Sequence, residues 1–368
     1  MKIGILGTRG IPNAYGGFEQ FAQYLAEGLV KRGHELWVYN SSEHPYKRNE
    51  WQGIHIVHCK DLEKKIGTAG QFIYDLNCLR DAHKRKFDIL LQLGYTSNSI
   101  WHWWWPKNSI NIINMDGLEW KRSKYNPSLR KFLKRAEAWA VKYGDVLIAD
   151  SPGIRDHILK KYNKPSIYIP YGAKIFLYPD FSRLTQWGLH PKEYLLVISR
   201  MEPENNIEMI IDGYLHSNKS FPLILVGNTN NGFGNYLVKK YQDNKIRFLG
   251  SIYDEPLINN LRYYCAFYIH GHSVGGTNPS LLEAMSCSCP IAAHRNIFNQ
   301  AVLTDCAFYF DQPDELSNII DNIGDSQIIL ADYVQRNLQK IRDLYSWDYI
   351  IDEYEHVFVN SLTSKSKN

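Results

Sequence analysis

Short apolar runs alternate with helix-period stretches twice over in this 368-residue chain, and that repeated pattern limits what it can fold into. Runs at 3–6, 36–39, 54–58, 89–93, 110–114 and 146–149 read as strands, with helical segments at 18–32 and 71–86 among them. Strands separated by helices connect through crossovers, which gives a mostly parallel sheet with helices on both faces. After residue 172 the pattern loosens into a polar, proline-containing stretch. It then restarts, with strands at 194–199, 223–226, 247–249, 266–270, 290–293 and 307–310. Two α/β units of the doubly wound type are therefore expected, at 1–172 and 173–345. Such sheets bind ligands outside the carboxyl ends of their strands. The loops after Leu6, Asn114, Ser199, Val226 and His270 are thus where chemistry is expected.

Composition narrows the class. With 44% apolar and 22% charged residues the chain reads as a globular protein. Its start, Met1-Lys2 running directly into a strand, does not resemble a signal peptide, and no apolar run approaches the roughly 20 residues of a membrane helix. The six cysteines (59, 78, 265, 287, 289 and 306) form no CxxC pair, so free thiols in a reducing cytoplasm are expected. The charge is uneven: residues 1–175 carry 27 Lys/Arg against 16 Asp/Glu, and the remainder 15 against 22. Between Lys121 and Lys142 lie eight basic residues and one acid, Glu137, with Leu129, Phe132, Leu133, Ala136 and Ala140 at helical spacing. A basic amphipathic helix over 121–143 is expected, either lying on an anionic membrane surface or packed with a solvated basic face. No nucleic-acid motif accompanies the charge.

One segment carries the most chemistry. In His270-Gly-His-Ser-Val-Gly-Gly-Thr-Asn-Pro-Ser-Leu-Leu-Glu-Ala-Met285, a strand ends in a glycine-bearing loop and Asn278 with Pro279 reads as the cap and first turn of a helix. The free N–H groups and dipole of such a start attract an anion such as phosphate. Gly276 and Thr277 line its approach, and Glu283, one turn in, is placed to accept hydrogen bonds from a sugar hydroxyl. Arg200, after the strand at 194–199, is a candidate to fork onto a leaving diphosphate, with Asn205 and Asn206 as neutral donors beside it. In the first unit, Gly7-Thr-Arg-Gly-Ile-Pro-Asn-Ala-Tyr-Gly-Gly17 opens a helix, and Gly16 and Gly17 lead into its N-terminus. The spacing is not GxGxxG and the second strand ends in Asn40, not an acid, which disfavours a dinucleotide cofactor. Asp116 and Glu119 are candidates to bind or deprotonate an acceptor hydroxyl, or to act as caps and salt-bridge partners. His270 and His272 alternate and share a face, but no third ligand at suitable spacing suggests a metal. Trp101-His-Trp-Trp-Trp105 reads either as an interfacial surface or as a buried helix ending at Pro106.

Taken together, GTRGIPNAYGGFE, NMDGLEWKR, SRMEPENN and HGHSVGGTNPSLLEAM resemble a bacterial subgroup of the family-four retaining glycosyltransferases that includes rhamnosyltransferases of cell-wall and capsule polysaccharide assembly. The resemblance runs from Met1 to about Phe358. It implies the GT-B fold: two Rossmann-like domains facing a cleft, with a C-terminal crossover helix at 346–362. The nucleotide sugar would sit on the second domain and the acceptor on the first. On this basis Glu283 matches the ribose-binding glutamate, Arg200 the diphosphate-binding base, and Gly16, Gly17, Gly227 and Gly250 the loops near phosphates and base. His272, Gly276, Thr277, Asn278 and Asn205 complete the expected donor set. Asp116 joins Arg200 as a catalytic candidate, and Arg9, Tyr15, Glu19 and Glu119 are the expected acceptor contacts. The sequence departs from many relatives at Gly275, where they carry a first glutamate, and at Asn205, where they carry a lysine. The implied reaction moves a sugar, first L-rhamnose from dTDP-rhamnose, to a hydroxyl of a lipid-diphosphate-linked glycan, with retention and without a metal or cofactor. A hexosyl or N-acetylhexosaminyl transfer from a UDP- or GDP-sugar is the alternative, and a non-catalytic carbohydrate-binding protein on a decayed fold is the rival of another class. The expected location is the cytoplasmic face of the cell membrane, held peripherally.

Overall fold

The computed structural model describes residues 1–14, 16–122 and 125–365. The chain divides into two compact units. One comprises Met1–Lys121, Tyr125–Tyr171 and Trp347–Asn368; the other comprises Arg122–Lys124 and Gly172–Ser346.

The first unit is built on an eight-stranded sheet of β1 (Lys2–Leu6), β2 (Glu35–Ser41), β3 (Glu50–Trp51), β4 (Ile54–Cys59), β5 (Ile89–Leu93), β6 (Ile110–Asn114), β7 (Val146–Ala149) and β8 (Ile167–Tyr168). Its order is β3-β4-β2-β1-β5-β6-β7-β8, parallel throughout except for the β3–β4 hairpin. The second unit has β9 (Leu195–Ile198), β10 (Leu223–Val226), β11 (Ile246–Gly250), β12 (Phe267–His270), β13 (Ile291–His294) and β14 (Phe308–Phe310), all parallel in the order β11-β10-β9-β12-β13-β14. Strands such as β5, β6 and β10 are buried along their whole length because helices cover both faces. Both units are thus doubly wound, as the alternation predicts. The two-residue edge strands β3 and β8 escape a reading based on period, since they are too short to show one.

The helix Trp347–Lys365 returns the chain to the first unit. It lies on the helix Gly17–Lys31: Trp347 stacks on Tyr24 at 4.7 Å, Phe21 meets Tyr354 at 5.3 Å, and Arg32 pairs with Asp352 and Glu355 at 2.6 Å each. Gly28 admits Ile351, since a Cβ there would come within 2.2 Å of that side chain.

Two expectations need correction. The basic helix begins not at 121 but at Pro127, where Asn126 caps it by accepting from the Leu129 N–H at 2.9 Å; it runs Pro127–Tyr143. Glu119–Lys121 forms a separate 3-10 turn. The tryptophan run is neither a buried helix nor a uniform surface. Ser99–Trp104 is a 3-10 turn in which Trp103 is 59% and Trp104 37% exposed, while Trp105 is buried. A 3-10 turn spaces residues by thirds, so adjacent tryptophans cannot share one face. All six cysteines are free and buried.

Candidate functional site

Among the parallel strands of each sheet the order reverses direction once, and the crevice outside that switch point is where doubly wound sheets place ligands. In the second unit the switch lies between β9 and β12. The segments leaving those two strands are Ser199–Asn206 and Gly271–Asn278, so the fold brings together motifs some 70 residues apart in sequence.

Backbone contacts hold the two segments to each other. Ser273 donates its N–H and its hydroxyl to the Glu204 carbonyl at 3.1 and 2.7 Å, and Asn206 Nδ2 donates to the Gly271 carbonyl at 2.8 Å. A Cβ on Gly271 would lie 2.2 Å from the Asn205 carbonyl, and one on Gly227 only 2.0 Å from that of Ser199. Gly227 therefore serves close backbone approach to the Ser199 carbonyl, one residue before Arg200. Gly250 takes a left-handed conformation at the end of β11, φ +73°, and its carbonyl accepts from the Gly227 N–H at 2.9 Å.

Arg200 is exposed at the end of β9. Its carbonyl is gripped by Asn205 Nδ2 at 2.8 Å and by the Glu202 N–H at 2.8 Å. Asn205 is 3% exposed, so its amide shapes the arginine loop and does not reach outward as the expected diphosphate donor. Asn278 caps the helix Pro279–Ser286 by accepting from the Ser280 N–H at 2.9 Å; Thr277 beside it is buried and Gly276 half-buried. Glu283 is paired with Arg262, whose side chain is only 3% exposed against 24% for the glutamate. Arg262 also donates to Asn259 Oδ1 at 2.8 Å. The buried guanidinium fixes the carboxylate's orientation while leaving part of it accessible.

His270 and His272 stack at 4.4 Å with planes 15° apart, sharing a face as their alternation predicts. Burial pushes the His272 pKa down to about 3, aided by the charges of Arg200 and Arg122, and burial likewise holds His270 well below the ordinary histidine value. Both imidazoles are neutral near pH 7, able to give one hydrogen bond and accept one. Among the described residues no group of three or more His, Cys, Asp or Glu is arranged to hold a metal.

In the first unit the switch lies between β1 and β5. The loop after β1 turns on Gly7 (φ +92°) and Gly10 (φ +128°), against which Asn40 packs, and Asn40 holds Ile11 through both its backbone N–H and its carbonyl, at 3.0 and 2.7 Å. Glu19 is 4% exposed and accepts the Arg9 backbone N–H at 2.8 Å, which makes it an anchor of the loop and not an outward acceptor contact. The Arg9 guanidinium forks onto Glu63, at 2.8 to 3.1 Å, on the wall of a cavity of about 310 Å³ that Ser41, His44 and Asp61 also line. Gly16 stands at the N-cap of the helix beginning with Gly17, with the Gln20 N–H bonded to its carbonyl at 3.1 Å. Tyr15 lies outside the described residues. Half-buried Asp116 follows β6, its N–H held by Asn114 Oδ1 at 3.1 Å, and Glu119 sits in the next turn.

Sequence reasoning missed Arg262, Glu63, Asp61, Asn296 and Asn299. The last two each donate to the His272 carbonyl at 3.0 Å. Only Asn296 carries a local signal, as the cap of the helix Ile297–Leu303.

A pair of doubly wound units, the second with a capped helix, an arginine and a buttressed glutamate near its switch point, defines the GT-B architecture, and comparison with known proteins agrees. Solved structures share the fold over nearly the whole chain: sucrose-phosphate synthase from Thermosynechococcus elongatus (TM-score 0.83, 15% identity, 99% of each chain); Anabaena HepE in complex with UDP (TM-score 0.75, 16% identity, 98% of this chain and 100% of that one); and WaaG, a glycosyltransferase involved in lipopolysaccharide biosynthesis (TM-score 0.71, 12% identity, 97% and 99%). Residues 185–340 match the family described as Glycosyl transferases group 1, and residues 1–174 match a domain of unknown function, DUF1972. The O-antigen chain mannosyltransferase C of Escherichia coli is 20% identical over 384 residues, covering 96% of this chain and 97% of the relative. The chain has the GT-B fold, and residues 185–340, in its second unit, match the Glycosyl transferases group 1 family.

Proposed function

We propose that this enzyme transfers a sugar from a nucleoside-diphosphate donor to a hydroxyl of a lipid-diphosphate-linked glycan during bacterial surface-polysaccharide assembly. The observation that carries the reading is the β9/β12 switch point, where the loop bearing Arg200 follows one strand and the Asn278-capped helix bearing the Arg262-fixed Glu283 follows the other. Arg200 and the helix N-terminus would stabilise the departing diphosphate through fixed charge and dipoles, without a metal. Glu283 would accept from the donor ribose, and neutral His272 would serve the sugar in place of the glutamate absent at Gly275. Asp116 would orient the acceptor, with the donor phosphate itself taking the acceptor proton in a same-face, retaining attack. HepE with UDP and the O-antigen mannosyltransferase support a nucleotide-sugar donor and a polysaccharide product. Rhamnose from a dTDP donor remains the reading from motif resemblance alone, and the mannosyltransferase relative does not favour it.

The test is a thermal-shift panel of UDP, GDP, dTDP and their sugars, run with and without EDTA. A ligand that binds the folded state raises the melting temperature, by an amount set by its concentration over Kd. One diphosphate should shift it clearly and its nucleoside should not, with EDTA making no difference. A dTDP preference would favour rhamnose, and a UDP or GDP preference a hexosyl donor. No shift from any diphosphate would refute the proposal.

Peripheral attachment to an anionic membrane belongs to the same reading. Among the described residues no helix is long and apolar enough to cross a bilayer. Support for surface attachment comes from exposed Trp103, Trp104 and Tyr143 on the first unit, close to Lys142 and Arg80, the latter 5.3 Å from the Trp104 ring. Tryptophan and tyrosine favour the boundary between apolar and wet regions, and cations there meet lipid phosphates.

A further inference from the structure

The turn after β6 carries a cluster that neither the donor nor the acceptor assignments use. Trp120, in the turn Glu119–Lys121, donates its indole N–H to Glu137 Oε2 at 2.7 Å. Glu137, on the helix Pro127–Tyr143, is 1% exposed and its Oε1 accepts from Tyr162 Oη, Lys161 Nζ and His157 Nε2 at 2.6, 2.7 and 3.1 Å. Burial alone would raise its pKa, but the hydrogen bonds from Lys161, Tyr162, Trp120 and His157 carry it below the ordinary carboxylate value. A buried ionised carboxylate is costly and adds little net stability. What it secures here is position: it fixes an indole and an ammonium relative to one another.

Three cations crowd that indole. Lys134, Lys161 and Lys121 have their ammonium nitrogens 4.7, 5.3 and 5.7 Å from the ring centroid, and all three residues are exposed. Lys131 lies one turn earlier on the helix that bears Lys134, with Arg135 beside it, both exposed. The acids at hand are Glu137, engaged by four donors, and Glu119 on the same turn. The ring attracts a cation only weakly at an exposed site, which does not offset mutual repulsion among several. Such a gathering is relieved by a compact anion with several charged oxygens, and lysine ammoniums bind phosphate as point charges. Lys161 is already paired with Glu137, and a neutral sugar would bring no countercharge to Lys134 and Lys121.

We propose that this lysine crown on Trp120 is a phosphate-binding site for a lipid-borne phosphate, either the diphosphate of the glycan acceptor or a bilayer headgroup. The proposal deepens the lipid-linked acceptor reading and rests on it, though not on the donor assignment. Glu137 holds Trp120 and Lys161 in place, so the freedom lost on binding falls on Lys134 and Lys121.

The experiment measures binding of soluble geranyl diphosphate and, separately, sedimentation with phosphatidylglycerol vesicles, for the wild type and for two double variants. The first, Lys134→Gln with Lys161→Gln, removes the two cations nearest the ring. The second, Lys121→Gln with Lys134→Gln, leaves the donors to buried Glu137 intact and guards against misfolding. Loss of two phosphate contacts should weaken binding roughly thirtyfold. Weakened geranyl diphosphate binding with unchanged vesicle binding supports the site and names the acceptor diphosphate. The converse supports it and names the headgroup. Unchanged binding of both ligands by both folded variants overturns it. Nucleotide-induced thermal shifts in these variants should equal those of the wild type. If the nucleotides fail to bind at all while geranyl diphosphate responds to the substitutions, the donor reading falls and the phosphate site stands.

Discussion

Glu283 shows how a side chain acquires a role. Its charge is balanced by buried Arg262, which holds the carboxylate in one orientation. Glu283→Gln keeps the shape but weakens a charge-assisted hydrogen bond, so the donor's apparent KM should rise about tenfold with kcat less affected. Initial-rate kinetics check this, and an unchanged KM would remove the ribose contact. Arg200→Ala should instead lower kcat by ~10²-fold or more in a protein that melts normally, because on the proposed mechanism it removes charge that matters most as the diphosphate departs. Near-normal turnover would take Arg200 out of the mechanism. His272 makes a prediction about pH. Its folded pKa is about 3, below the unfolded value of about 6.5, so between those values the unfolded state binds more protons. Stability is therefore full above about pH 6.5 and is lost as the pH falls, by about 2 kcal/mol at about pH 5. His270 acts in the same direction. The melting temperature of His272→Asn should be less sensitive to acid than that of the wild type, and equal sensitivity would refute the linkage. Asn278, Pro279 and the shared face of the two histidines were legible because each depends on neighbours a few residues away. Arg262 was not, since its partner is chosen by the packing of one helix against another.

At the level of elements, the switch-point loops are positioned by close backbone approach. Gly271 leaves β12 with no room for a Cβ beside the Asn205 carbonyl. A backbone oxygen cannot swing aside as a side-chain end can. Gly271→Ala should therefore destabilise the protein by roughly 1–3 kcal/mol and reduce nucleotide binding, read as a lower melting temperature and a smaller ligand-induced shift. A variant with wild-type stability and binding would show that the two loops are not coupled. The strands were legible from period, and the Gly17–Lys31 helix from its apolar spacing. The start of the basic helix at Pro127 was misplaced because the run of lysines and arginines hides the Asn126-Pro127 cap, whose meaning depends on backbone geometry and not on charge. The tryptophan turn failed for a related reason: five large residues in a row carry no period to read.

At the level of the whole molecule, the asymmetry of charge, 27 basic against 16 acidic residues in the first 175, falls largely on the unit with exposed Trp103 and Trp104. Charge reversal at Lys131, Lys134 and Arg135 should release the protein from anionic vesicles, with each lysine or arginine worth ~1 kcal/mol at such a surface. Retention in a sedimentation assay would show that the basic face is merely solvated. By itself the sequence determined the two parallel-sheet units, the capped helix at Asn278, and which loops leave the strand ends, because these follow from periodicity and from residue types acting within a turn or two. Tertiary structure alone decided that Arg262 buttresses Glu283, that Asn205 and Glu19 face inward, and that three lysines surround Trp120. Those outcomes depend on which surfaces meet when helices pack on a sheet, and contacts between distant residues leave no local pattern in the order of amino acids.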